Sequence, residues 1–286
     1  MSGALRAVVV SMLAWLLTQS GFVASAELRT LRAESADGIE IAYREGGSGE
    51  PTIVFVHGWT CDSTYWDAQL PFFSQRYRVV AVDLAGHGAS GMGRANYSME
   101  RFGSDVAAAA GEGPLVLVGH SMGGPVILQA ALQLGDQVVG IVAVDTLRNV
   151  APPVSDPEQL NARLDPLKAD YAAVASQFLA SMFVESSDPQ LQQRITDDML
   201  ATDRAVGVGA LRGMLESDVA DALEQIDAPL VVINSDYQPT DLAALKGHHP
   251  NVTLHIMEGV GHFVMMENPG TFNRLLDGAI ESFSGQ

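Results

Sequence analysis

Apolar and polar positions along this chain alternate between two rhythms. Short runs of β-branched and apolar residues mark candidate strands at 28–34, 39–44, 52–57, 77–83, 115–119, 138–145, 230–235 and 252–257. Asp37-Gly38 separates the first two, which is a hairpin signal. The later runs are apolar throughout rather than alternating, as expected of strands covered on both faces. Helix-period stretches lie between them at 63–74, 99–110, 122–134, 241–247 and 269–283. Strand–helix alternation of this kind predicts an α/β fold built on a mostly parallel eight-stranded sheet, with right-handed crossovers and helices on both faces.

One segment breaks the rhythm. From about Pro152 to Asp221 no strand pattern appears, and helix-period runs at 158–164, 167–184, 190–202 and 204–215 are punctuated by Pro157, Pro166 and Pro189. Lying between the sixth and seventh strands, the segment reads as a helical cap, residues 151–221, inserted into a core formed by 27–150 and 222–286. Its Tyr171, Phe178, Met182, Phe183, Met199, Leu211 and Met214 are expected to pack within the cap or against the core, a minority lining any cavity the cap closes over.

The first 26 residues are read separately. Arg6 precedes an apolar run from Ala7 to Leu17, and Ala24-Ser25-Ala26 matches a small-residue cleavage site. This is the pattern of a secretory signal cut after Ala26, with an apolar run too short to span a bilayer. The expected location is secreted or periplasmic, with no membrane association after cleavage. Oligomeric state is not legible.

Charge narrows the function. With 34 acidic residues against 16 Lys and Arg, the formal net charge is −18. Such a surface repels phosphate backbones and anionic lipid, so nucleic-acid and membrane-surface partners are excluded in favour of a small molecule. The single cysteine, Cys61, cannot form an intrachain disulfide and reads as a small residue packed beside a turn. His248 and His249 are adjacent rather than at i, i+4 spacing, H-E-x-x-H is absent, and no glycine-rich phosphate loop follows a strand. Neither a metal nor a cofactor is expected.

The chemistry sits at Gly119-His120-Ser121-Met122-Gly123, a G-x-S-x-G between an apolar run and a helix. Such a turn pushes its serine into an exposed, strained position and needs glycines beside it. Ser121 is the candidate nucleophile. The candidate base is His262, in Gly259-Val260-Gly261-His262-Phe263 after the last strand, at the carboxyl edge of the sheet that also carries Ser121. The backbone N–H groups of Trp59, in the turn His57-Gly58-Trp59, and of Met122 are the candidate oxyanion donors.

Taken together, Gly-His-Ser-Met-Gly-Gly at 119–124, His57-Gly58 after the third strand, Asp83-Leu84-Ala85-Gly86-His87-Gly88-Ala89-Ser90 after the fourth, and Gly261-His262 near the C-terminus resemble the α/β-hydrolase superfamily, in its capped, serine-nucleophile, esterase-like branch. The resemblance covers nearly all of the chain after the leader; in the cap only position and helical character match. It implies an α/β-hydrolase fold, cleavage of carboxylic esters through an acyl-enzyme, and a chain order of nucleophile, acid, histidine. A lactone or a carbon–carbon bond beside a ketone is possible on the same machinery, and a non-catalytic small-molecule-binding homologue is the alternative. Relatives that open epoxides or displace halide carry aspartate where this chain has Ser121. His87 and His120 are expected to be structural.

The acid departs from the pattern. The resemblance places it after the seventh strand, where this chain reads Ser235-Asp236-Tyr237-Gln238, with an uncharged amide at the expected position. Asp145, at the end of the sixth strand, matches the place where some members carry their acid. Asp236 and Asp241 are its rivals, although Asp241 after Pro239-Thr240 also reads as a helix N-cap.

Overall fold

The computed structural model describes residues 27–283. The expected leader lies outside them. Eight strands form one sheet: β1 Arg29–Glu34, β2 Glu40–Gly46, β3 Thr52–Val56, β4 Val79–Val82, β5 Leu115–His120, β6 Val138–Val144, β7 Leu230–Ser235 and β8 Val252–Met257. Their spatial order is β1-β2-β4-β3-β5-β6-β7-β8. β1 and β2 pair antiparallel, as do β2 and β4; β4, β3, β5, β6, β7 and β8 run parallel. All eight expected strands form, with ends displaced by two residues or fewer.

β3, β4, β5 and β7 are buried at every position, which is why their sequences lack alternation. The helices that cover them are α1 Leu70–Phe73, α2 Met99–Ala110, α3 Gly123–Leu134 and, after β6, α4 Pro157–Ala169, α5 Tyr171–Ala180, α6 Pro189–Ala201, α7 Arg204–Glu216 and α8 Val219–Glu224. α9 Leu242–His248, α10 Val264–Glu267 and α11 Pro269–Phe283 complete the chain. α2 and α3 pack on each other and on the sheet, while α11 lies against β6, β7 and β8. Trp66, fully buried, meets Phe55 of β3 (ring centroids 5.0 Å apart) and Phe272 of α11 (6.2 Å), joining sheet to helix.

Two helical expectations change. The stretch 63–74 forms a 3₁₀ turn, Ser63–Trp66, capped by Asp62, and then the short α1. Pro71 has no N–H to continue a helix, so α1 can only begin around it. In the segment after β6, Pro166 does not end a helix. α4 runs through it, since the N–H it lacks faces the exposed Ala162 turn, where water can serve the carbonyl. The break falls instead at Asp170, whose carboxylate caps α5 by accepting from the Ala173 amide at 3.1 Å.

The sheet gathers the loops after β3, β5, β6 and β7 at one edge. Non-glycine residues with positive φ occur there: Thr60 (56°) after β3, Ser121 (53°) after β5, and Asp145 (46°) and Leu147 (51°) after β6. This conformation costs an L-residue on the order of 1–2 kcal/mol. Its concentration at one edge of the sheet marks the place where backbone strain is being held.

Candidate active site

Ser121 sits where β5 turns into α3. Its N–H donates to the Val144 carbonyl (3.0 Å) and its own carbonyl accepts from Gly124 (2.9 Å), which fixes the bend. The bend is crowded by backbone. A Cβ on Gly123 would lie 2.6 Å from the Val56 carbonyl oxygen and 2.8 Å from that of His57. A Cβ on Gly119 would strike the Gly123 carbonyl. Only glycine fits at either place, so the two glycines of the motif have a packing reason.

His262 follows β8. Its Nδ1 lies 2.5 Å from Asp145 Oδ2, and Tyr237 Oη is 3.5 Å from the same nitrogen. Ser121 and His262 line one cavity, together with Gly58, Trp59, Cys61 and His120. Asp236 is exposed and accepts from the Gly259 amide (3.0 Å). Asp241 caps α9, accepting from Ala244 (2.9 Å). Of the three candidate carboxylates, Asp145 is therefore the one in contact with the imidazole. Gln238 takes part only through its carbonyl, which accepts from Arg148.

Asp145 is fully buried at its side chain yet well supplied with donors. The Ser235 amide (2.7 Å) and hydroxyl (2.8 Å) both donate to Oδ1, as does Arg148 Nη2. Burial works to raise its carboxyl, but the hydrogen bonds and charges of His262 and Arg148 outweigh burial and hold it below the ordinary value.

Two peptide units deserve a closer geometric reading. In a trans peptide the C=O and N–H point in opposite directions. The Gly58 carbonyl is taken by His57 Nδ1 (2.8 Å) and the Cys61 amide (3.3 Å), so the N–H of Trp59 is turned the other way. The Ser121 carbonyl is taken by Gly124, so the N–H of Met122 is turned away likewise. Among the described residues neither amide donates to a backbone carbonyl outside the regular elements. His57 is fully buried; its Nε2 accepts from the Leu84 amide (3.1 Å), which leaves the proton on Nδ1 to hold Gly58.

The surrounding histidines are kept neutral. Burial, reinforced by the nearby His262, pushes His120 down to about 3. Its Nε2 lies 3.0 Å from the His262 carbonyl and its ring 4.7 Å from the His262 ring. Burial also pushes His87 down to about 3, with Nδ1 3.1 Å from the Ala85 carbonyl. Burial raises the Cys61 thiol well above its ordinary value, as befits a packed side chain.

Further residues of the site had no motif to announce them. Glu267 clamps the histidine loop, accepting from the Gly261 (3.0 Å) and Phe263 (3.2 Å) amides and from Ser187 Oγ (2.6 Å). The His262 amide donates to the Met182 carbonyl (2.8 Å), in the turn after α5. Trp59 Nε1 donates to the Gly207 carbonyl of α7 (2.7 Å). The segment after β6 is thus tied to both the histidine loop and the turn after β3.

Ser121 stands between two unequal spaces. The one under the helices is about 30 Å³ and is walled by Trp59, Phe178, Met182, Met199, Leu211 and Met214. That is room for a few waters at most. The other is about 320 Å³, reaches outward past Thr146, Arg148, Asn149 and Arg163, and again touches Ser121 and Asp145. Met214 borders both.

Comparison with known proteins gives a consistent result. The family model described as "Alpha/beta hydrolase family" matches residues 53–275. A non-heme haloperoxidase of Rhodococcus erythropolis is 30% identical over 278 residues, covering 87% of this chain and 98% of that protein. A pimeloyl-[acyl-carrier protein] methyl ester esterase of Sodalis glossinidius is 28% identical over 201 residues, covering 68% of this chain and 77% of its own length. Among solved structures, a thermophilic esterase from Thermogutta terrifontis superposes with a TM-score of 0.77 at 22% identity, covering 89% of this chain and 99% of that one.

Proposed function

Because the chain belongs to the alpha/beta hydrolase family, we propose that it is a serine hydrolase cleaving carboxylic esters of small to medium apolar substrates through an acyl-enzyme. The observation that carries this reading is a shared setting. Ser121, at positive φ, and His262, its Nδ1 on Asp145 at 2.5 Å, line one cavity. Ser121 Oγ attacks the carbonyl carbon and His262 takes its proton. Asp145 holds the imidazole's tautomer and balances its charge. The N–H groups of Trp59 and Met122 receive the developing oxyanion. His262 then protonates the departing alcohol, and a water, deprotonated by the same imidazole, releases the acid.

The unequal spaces beside Ser121 favour an asymmetric ester. A small apolar group belongs in the space under Phe178 and Met199, and the larger half in the outer one. The leader pattern at residues 1–26 adds export to the proposal.

The test is turnover of p-nitrophenyl acetate and butyrate, with labelling by a fluorophosphonate probe. Wild type should hydrolyse both and be labelled. Ser121→Ala should lose roughly 10⁴-fold or more in kcat and all labelling. A wild type no faster than Ser121→Ala, and unlabelled, would make the chain a binding homologue.

A further inference from the structure

Arg148 lies three residues beyond Asp145, in the loop after β6, and shares the carboxylate with His262. Its guanidinium is 2.5 Å from Asp145 Oδ1, while Oδ2 faces the imidazole. The same guanidinium donates to Ser235 Oγ (2.9 Å), to the Ser235 carbonyl (3.1 Å) and to the Gln238 carbonyl. It also lies 4.7 Å above the ring of Tyr237, whose hydroxyl approaches His262 Nδ1. One side chain therefore joins the acid, the end of β7 and the loop that follows it.

We propose that Arg148 is a positioning residue for the ester hydrolysis proposed above: it holds Asp145 by the oxygen turned away from His262 and, through its permanent charge, limits how strongly that carboxylate favours the imidazolium. Arginine cannot be deprotonated in a protein, so this restraint is present at every working pH. A carboxylate facing a histidine alone would stabilise the protonated ring and delay release of the base to higher pH. Arg148 draws part of that field to itself. The other groups around the ring carry no compensating positive charge. His120 is neutral through burial, the Tyr237 phenol is pushed up to about 12 by burial and by Asp145, and the Glu267 carboxylate is engaged with the Gly261 and Phe263 amides. The loop after β7 offers Arg148 the main-chain carbonyl of Gln238, and the arginine fastens that loop to the acid of β6.

The proposal rests on the reading of Ser121, His262 and Asp145 given above, and its test separates the two. The pH dependence of kcat and kcat/KM for p-nitrophenyl acetate is measured for wild type, Arg148→Gln and Arg148→Lys, with Ser121→Ala as baseline. Arg148→Gln should move the acid limb of kcat/KM up by about one pH unit. It should lower plateau kcat roughly tenfold with KM little changed. Arg148→Lys keeps the charge but not the planar fork, so the limb should stay in place while plateau kcat falls. An unmoved limb in Arg148→Gln overturns the proposal while leaving the hydrolase reading intact. Should that variant not fold, Arg148→Lys decides: wild-type kcat overturns the proposal, and a reduced kcat on an unmoved limb supports it. A wild type without Ser121-dependent turnover overturns both.

Discussion

Asp145 Oδ2 and His262 Nδ1 stand 2.5 Å apart although 117 positions of chain separate them. The Asp145 amide donates to the Ile233 carbonyl (2.9 Å) and its Oδ1 accepts from Ser235, so the ends of β6 and β7 jointly aim the carboxylate. If this contact orients the base, Asp145→Asn should lower kcat on p-nitrophenyl acetate by about 10³–10⁴-fold, the cost of holding a triad histidine in the wrong tautomer. Asp236→Asn and Asp241→Asn should stay within about twofold of wild type in the same assay. Asp241→Ala should instead lose about 1 kcal/mol of stability in urea unfolding, as an N-cap does.

Gly123→Ala tests the bend itself. The new Cβ meets two backbone carbonyls, and neither can swing aside as a side chain could. The variant should lose at least about 2 kcal/mol in urea unfolding, or fail to fold, and any folded fraction should be inactive. Gly278→Ala, in α11 with nothing within 4 Å of the added atom, should gain about 0.5 kcal/mol and keep full activity.

Stability should fall with acidification from neutrality. His87 and His120 are held near 3 in the fold against about 6.5 in the unfolded chain. Between those values the unfolded chain binds more protons, so stability is complete above about pH 6.5 and is lost as pH falls toward 3. Each histidine contributes on the order of 1.4 kcal/mol per pH unit across that window. Asp145, held low, adds its own loss only at more acidic pH, below its unfolded value of 3.8. Melting temperatures at pH 7, 6, 5 and 4 should therefore drop with increasing steepness. A flat Tm between pH 7 and 5 would show that burial does not keep these rings neutral.

Met214→Ala should change acyl-chain preference. Met214 lines both of the spaces that meet at Ser121, and truncating it should widen the passage between them. The ratio of kcat/KM for p-nitrophenyl octanoate to that for acetate should rise about tenfold, within the range that one or two methylenes are worth in an apolar pocket. An unchanged ratio would mean that acyl chains do not pass this wall.

Much of this was legible in the sequence. β7 and β8 run over the residues expected, as do α2 and α11, because continuous apolar runs and well-spaced helical faces are local signals; β7 is buried throughout as such a run implies, whereas the edge strand β8 is buried only at its two ends. Ser121 was legible because crowding at Gly119 and Gly123 leaves a local trace. The carboxylate facing His262 was legible as a preference for Asp145, with Asp236 and Asp241 left open, because all three follow strands at the same sheet edge and only loop path decides which meets the imidazole. Arg148 and Glu267 had no signal at all. Their partners lie on other elements, and a lone arginine or glutamate in a loop has no pattern to announce it. The break at Asp170 rather than Pro166 follows the cap, since the Asp170 carboxylate takes the Ala173 amide while the exposed turn before Pro166 tolerates one missing bond.

The bond from the His262 amide to the Met182 carbonyl moors the proposed general base to the roof over the serine. On the proposed reading, an acyl group that enters the small space under Phe178 and Met199 has to push that roof outward, and any displacement of the turn pulls on His262.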